Sequence, residues 1–173
     1  MRKIMVLMLL SVFMVGWFIP ETARIPVSGA TAADWHPQSF WHYPWGRSGT
    51  HKGIDIFAAK GTAALAATDG LVISTGFDSL GGNYVLLLGA KWRFHYYAHL
   101  QSIDTSSGDW LKAGSVLGKV GDSGNAQGKP PHLHYQIQTI FPQWAQYQAH
   151  QPQAWKKLFY INPNQFLTQR KAS

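Results

Sequence analysis

The sequence has no cysteine. That absence excludes disulfides, a thiolate zinc site, an iron–sulfur cluster and a cysteine nucleophile together. Acidic residues are scarce, with Asp+Glu 8 against Lys+Arg 15, and charged residues make up only 13% of the chain. There is no internal repeat, no low-complexity tract and no run of like charge, so nothing points to a solenoid or to a basic cluster for nucleic acid. One stretch, Gly114 to Val120, resembles a phosphate loop only superficially: it is a residue short between its glycines and has no Ser or Thr after Lys119. With 173 residues the chain has room for one domain with a real core rather than two.

Aromatic residues and turn formers are abundant, with Trp 8, Tyr 7, Phe 9, Gly 17 and Pro 9, scattered rather than periodic. That mixture fits short strands joined by many turns. The N-terminus reads as a targeting segment: Arg2-Lys3 is a basic start, Ile4 to Ile19 carries no charge, Pro20 ends the run, and Ala30-Thr31-Ala32 offers a small-x-small processing pattern. Residues 1–32 are therefore expected to be a signal peptide, with an N-terminal membrane anchor through residues 4–19 as the alternative. The uncharged run falls short of the ~20 residues that span a bilayer comfortably, which favours cleavage. Export places the domain in the periplasm or cell envelope. Without residues 1–32 the chain keeps Lys+Arg 12 and Asp+Glu 7, and a basic exported domain suits an anionic envelope polymer.

Residues 33–43 form an aromatic lead-in loop, with His36 and His42 read as loop packing. From His51 the pattern turns to strands: Gly53 to Phe57 alternates, Thr68-Asp69-Gly70 turns into Leu71 to Thr75, and Gly81-Gly82-Asn83 leads into Tyr84 to Leu88. Lys91 to Leu100 makes a hairpin partner, Val116 to Val120 is a short strand, and Gln151 to Phe159 has room for one short helix. Strands at close spacing with few helical runs predict an antiparallel all-β domain over residues 44–167, followed by a polar tail at 168–173.

The chain is organised around Pro130-Pro131-His132-Leu133-His134-Tyr135-Gln136-Ile137. In a strand, His132 and His134 share one face about 6.5–7 Å apart, and Leu133 faces the other way. Two further stretches carry compatible groups, His51-Lys52-Gly53-Ile54-Asp55 and Tyr96-Tyr97-Ala98-His99. A hydrolytic zinc site takes three ligands from His, Asp or Glu and keeps one position open for water. His51, Asp55 and His134 offer two neutral imidazoles and a carboxylate. His99 and His132 are then free to move a proton or to hydrogen-bond a developing oxyanion. A cupin is disfavoured because Gln136 and Gln138 stand where its Glu would be. A sugar-binding module built on Trp41, Trp45, Trp92, Trp110 or Trp144 competes with the plain reading of those tryptophans as core. His95 is read as aromatic packing, although a regular strand would turn it to the same side as His99.

The motifs His51-Lys52-Gly53-Ile54-Asp55-Ile56, Tyr97-Ala98-His99-Leu100 and Pro131-His132-Leu133-His134-Tyr135 resemble those of the M23 zinc peptidases, the lysostaphin-like or LytM-like peptidoglycan hydrolases. Lys112 to Gly121 is similar to the family's glycine-spaced hairpin, and the resemblance covers about residues 44–167. It implies a small antiparallel β-sheet groove, barrel-sandwich-like, with one Zn2+ on its floor. By the same resemblance His51, Asp55 and His134 are the metal ligands, His99 and His132 the catalytic histidines, and Asn83 a structural strand start. The implied activity is endopeptidase cleavage of peptidoglycan stem peptides or cross-bridges, the alternative being a non-catalytic member that binds the wall or activates other hydrolases. The loop Asp122 to Pro130 is longer than the usual family version, which bears on substrate preference more than on catalysis.

Overall fold

The computed structural model describes residues 2–169, with backbone only at 9, 10 and 12. Residues 170–173, most of the expected polar tail, lie outside them. Nine strands follow in order: β1 (Ile54–Phe57), β2 (Ala63–Leu65), β3 (Gly70–Asp78), β4 (Gly82–Gly89), β5 (Arg93–Ile103), β6 (Trp110–Leu111), β7 (Val116–Val120), β8 (His132–Thr139) and β9 (Tyr160–Ile161). Three α-helices accompany them: α1 (Arg2–Phe18), α2 (Ala154–Lys157) and α3 (Pro163–Thr168).

The strands form one sheet in the order β1-β8-β5-β4-β3-β6, with β2 on β7, β7 on β5 and β9 on β8, every pair antiparallel. The path starts on β1 and ends on β6 without closing. This corrects the expected all-β, barrel-sandwich-like class with a hydrophobic leader: the fold is mixed α/β on an open sheet. The reason lies in groups that alternation does not report. Asn162 caps α3 by accepting from Asn164 N–H at 3.0 Å, Pro163 pre-sets its first turn, and Phe166 and Leu167 are buried against the sheet core. The uncharged N-terminal run forms α1, which docks through stacking of Phe13 on Trp92 and edge contacts of Phe13 and Trp17 with Phe141. Gly16 permits that approach, since a Cβ there would collide with the Trp92 ring. Among the described residues no helix is long and apolar enough to cross a membrane.

Residues 21–28 run along the sheet rather than away from it. Arg24 N–H donates to Ala67 O at 2.8 Å, Leu65 N–H to Pro26 O at 2.9 Å and Ser28 N–H to Ala63 O at 3.0 Å. Val27 is buried in the main core, and the buried Glu21 carboxylate accepts from the Arg93 guanidinium at 2.6 Å. Trp35 is buried too, its indole N–H donating to Asn164 Oδ1 at 3.0 Å.

The core lies on one face of the sheet. Ile54 and Ile56 of β1, Leu133, Tyr135 and Ile137 of β8, Tyr97 of β5 and Val85 and Leu87 of β4 are fully buried there. Their alternating neighbours Asp55, His132, His134, Gln136, Tyr96 and Ala98 line a groove on the opposite face. The β4–β5 hairpin closes as a type I′ turn: Lys91 and Trp92 both have positive φ (56° and 57°), and Arg93 N–H returns to Ala90 O.

Candidate metal centre

Pairing of β1 with β8 sets Asp55 directly opposite His134, and pairing of β5 with β8 sets Ala98 opposite His134. The small Ala98 leaves room above the sheet at that point. His51 enters from the loop before β1, pinned by its backbone N–H to His42 O at 2.9 Å and by Trp41 N–H to His51 O at 2.6 Å. Its ring is sandwiched against Trp45, with centroids 4.1 Å apart and planes 26° apart.

Three ligand atoms converge. His51 Nε2 is 3.0 Å from Asp55 Oδ1, His134 Nδ1 is 2.8 Å from the same oxygen, and the two nitrogens are 3.1 Å apart. Tautomers decide what this cluster needs. His51 Nδ1 faces the Ser39 carbonyl at 3.1 Å, and a carbonyl only accepts, so Nδ1 carries the proton and Nε2 of the neutral ring presents a bare lone pair. That lone pair faces a carboxylate oxygen, so two acceptors meet with no proton of their own between them. A cation resolves the arrangement. The set of two imidazoles and one carboxylate is zinc-type, and the three residues are positioned to chelate one zinc ion. Burial pushes the Asp55 carboxyl up, but the His134 and His51 rings outweigh it and hold the group well below the usual carboxylate range. Burial lowers the His134 pKa, with Asp55 pulling the other way, so that ring is kept neutral and ready to ligate.

Two more imidazoles flank the cluster, with centroids 4.9 Å apart for His99–His132 and 5.9 Å for His99–His134. His132 Nδ1–H donates to Pro130 O at 2.8 Å, and its Nε2 is 4.0 Å from Asp55 Oδ2. His99 Nδ1–H donates to Ser123 O at 2.9 Å. Both rings therefore present a bare Nε2 when neutral. Burial, reinforced by His134 and His132, takes the His99 pKa down to about 4, so it is uncharged at neutral pH.

His99 reaches the groove by a route that strand alternation does not predict. It shares parity with His95 and Tyr97, which face the core. The register between β4 and β5 jumps, however, from Asn83↔Leu100 to Val85↔Tyr97, placing an extra residue on β5. His99 absorbs it at φ 63°, its N–H donating to Gly81 O at 2.7 Å. Asn83 and Ser123 brace the bulge: Asn83 Nδ2 donates to Leu100 O at 3.0 Å, and Ser123 Oγ donates to the same carbonyl at 2.8 Å while accepting from Asn83 N–H. His95 stays in the core, bonded to Tyr135 Oη at 2.7 Å. His36 and His42 are exposed on the lead-in loop; neither joins the metal cluster, although the His42 carbonyl accepts from His51 N–H and its ring meets Trp45 edge-on.

The groove above the cluster holds about 1020 Å³. Sequence reasoning missed several of its residues. Arg47, Lys129 and Lys156 had no motif to flag them, and Lys52 was visible only as the x after His51. The Lys52 ammonium donates to Ser48 O at 2.9 Å and lies 5.9 Å over the Trp41 ring. Burial, and then the nearby Lys156 charge, lower its pKa.

The model of peptidase family M23 matches residues 49–152, which contain all five of these histidines and aspartate. The chain belongs to peptidase family M23. This M23 chain is 35% identical over 96 residues to the peptidoglycan DD-endopeptidase ShyC of Vibrio cholerae, covering 56% of this chain and 22% of that protein. It is 35% identical over 100 residues to the glycyl-glycine endopeptidase ALE-1 of Staphylococcus capitis, covering 56% and 27%. The match thus spans about a quarter of the length of these relatives. The catalytic domain of lysostaphin from Staphylococcus simulans superposes with a TM-score of 0.61 at 26% identity, over 79% of this chain and 94% of that domain.

Proposed function

We propose that the chain is a zinc-dependent endopeptidase that hydrolyses peptide bonds in peptidoglycan stem peptides or cross-bridges. One observation carries the reading: His51 Nε2, Asp55 Oδ1 and His134 Nδ1 meet within 3.1 Å of one another beside two imidazoles whose Nδ1 protons are already committed to carbonyls. The names of the relatives supply the substrate class. Zinc held there supplies a Lewis acid that brings the pKa of a water toward neutrality and polarises a carbonyl. The chain's own groups do the rest. His132 and His99, anchored at Nδ1, are aimed to take the proton of the attacking water at Nε2 and to return it to the departing amine. Because His99 is hard to protonate, a proton taken there is passed on readily. Each ring, once protonated, donates to charge developing on the carbonyl oxygen.

We place the working enzyme in the cell envelope, exported on the Arg2–Ile19 segment. Residues 20–43 are grouped with the 44–167 unit, because Val27 and Trp35 lie in its core. The test is to purify the full chain, determine its metal content and incubate it with isolated peptidoglycan with and without a chelator. The released fragments are then identified by mass. Fragments that appear only with metal support the peptidase and name the bond. A zinc-loaded chain that releases nothing moves the reading to a non-catalytic activator, and a chain that binds no metal overturns it.

A further inference from the structure

The groove has an uneven charge. Its walls carry Arg47, Lys52, Lys129 and Lys156, while among the described residues the acids that line it are Asp55 and Asp78. Asp55 belongs to the metal cluster. Asp78 is spent within its own turn, accepting from Leu80 N–H at 2.8 Å, Gly81 N–H at 2.7 Å and Tyr96 Oη at 3.3 Å. Two lysines elsewhere on the surface pair with acids, Lys60 with Asp122 at 2.6 Å and Lys112 with Asp69 at 3.2 Å. Lys52 and Lys156 have no carboxylate partner among the described residues. Both line the groove, and Lys52 Nζ and the amide of Gln153, three residues before Lys156, donate to the same Ser48 carbonyl, so the two ammoniums share one stretch of rim with no carboxylate between them among the described residues.

The pair is built rather than incidental. Gln153 locks the segment bearing Lys156 onto the loop before β1, its Nε2 donating to Ser48 O at 2.9 Å and its Oε1 accepting from Thr50 Oγ1 at 3.5 Å. Trp41 Nε1 donates to Pro152 O at 2.9 Å in the same seam. Gly49, at φ 75°, leaves the space that the Gln153 amide fills. Two of the three Lys52 donor positions are taken by Ser48 O and Thr50 O, which leaves one. Lys156 and Arg47 lie outside the residues matched by the family model, and Lys52 lies inside them.

We propose that Lys52 and Lys156 form a carboxylate subsite at the rim of the groove, and that the preferred peptides carry a free carboxylate in the bound stretch rather than uncharged glycine. This rests on the peptidase reading and narrows its substrate class. The carboxylate can be a side-chain or a terminal one, and amidating each in turn distinguishes them.

The experiment measures calorimetric binding to the full chain with chelator present, so that no turnover occurs. The probes are a short glutamate-containing stem-type peptide, its side-chain amide, its C-terminal amide and acetyl-pentaglycine amide. The free acid is expected to bind about tenfold or more tightly than one of the amides and than the glycine peptide, the usual scale for a charge-assisted hydrogen bond. Lys156→Gln should bring the acid-to-amide ratio toward one, and Lys156→Arg should restore it. Lys156 is exposed, so neither change threatens the fold. Equal binding of acid and amides, no binding of any probe, or a ratio untouched by Lys156→Gln overturns the subsite. If the preference holds in binding but the zinc-loaded chain cuts none of the probes, the peptidase reading fails and the subsite stands.

Discussion

Val27 offers a direct test of where the folded body begins. It is 2% exposed, pairs with Ala64 and packs into the main core with Ala66 and Ala67, although the sequence places it inside a segment that reads as a removable leader. Val27→Ala removes two methyl groups, about 1.6 kcal/mol at about 0.8 kcal/mol per buried carbon. The cavity left behind raises this to about 2 kcal/mol, because the surrounding sheet cannot collapse fully. For a chain of this size that corresponds to a fall in Tm of about 4–8 °C. The control is Val15→Ala on α1. Val15 is 61% exposed, and its loss should stay within about 0.5 kcal/mol. Thermal and urea unfolding of the two variants beside the wild type reads the difference. A Val27→Ala chain as stable as the wild type would mean that residues 21–28 do not dock as seen. A full effect implies that processing after Ala32 strips a working edge from the sheet, and that a chain beginning at residue 33 melts earlier than one beginning at residue 20.

Asp55→Ala or His134→Ala should abolish zinc binding, measured by metal analysis after dialysis, because each removes one of three converging ligand atoms. His132→Gln and His99→Asn should retain zinc while lowering turnover by ~10²–10³, the scale for an acid–base or oxyanion group. Asn is chosen at 99 because it tolerates the left-handed backbone there; zinc lost with His99→Asn but kept with Asp55→Ala would reverse the ligand assignment. His95 predicts an acid-sensitive fold: burial, and then Arg93, lower its pKa to about 3 from 6.5, so the unfolded chain takes up a proton that the folded one refuses. Stability from this group is complete above pH 6.5 and is lost as pH falls toward 3, with a slope of about 1.4 kcal/mol per pH unit. His95→Gln should remove one proton from the pH dependence of urea unfolding, and an unchanged slope would disprove the assignment.

The parts of the site that could be read from sequence are those held by regular strands. β1 and β8 keep strict alternation, so Asp55, His132 and His134 fall on one face as their spacing requires, with Ile54, Ile56, Leu133 and Tyr135 beneath them. His99 breaks the rule. Its face is set by one left-handed residue and an extra position opposite Asn83–Val85, and the groups bracing that bulge, Asn83 and Ser123, lie far away along the chain. A local pattern carries no trace of such bracing, which is why spacing alone puts His95 and His99 together while the structure puts one in the core and the other in the groove. The same limit accounts for the fold. Whether a sheet closes depends on which strands pair, not on how each alternates, and helices of four and six residues are too short to show a 3.6-residue period, although the Asn162-Pro163 start of α3 was there to be seen. It accounts for the leader as well: a small-x-small pattern is visible within three residues, whereas the pairing of Val27 with Ala64 is not. The metal cluster is thus written in local motifs, while the groove wall that carries Lys156 is held by long-range contacts such as Gln153 to Ser48. The carboxylate preference proposed for Lys52 and Lys156 therefore depends on a seam that no local motif encodes, and Lys156→Gln tests it without touching the metal cluster.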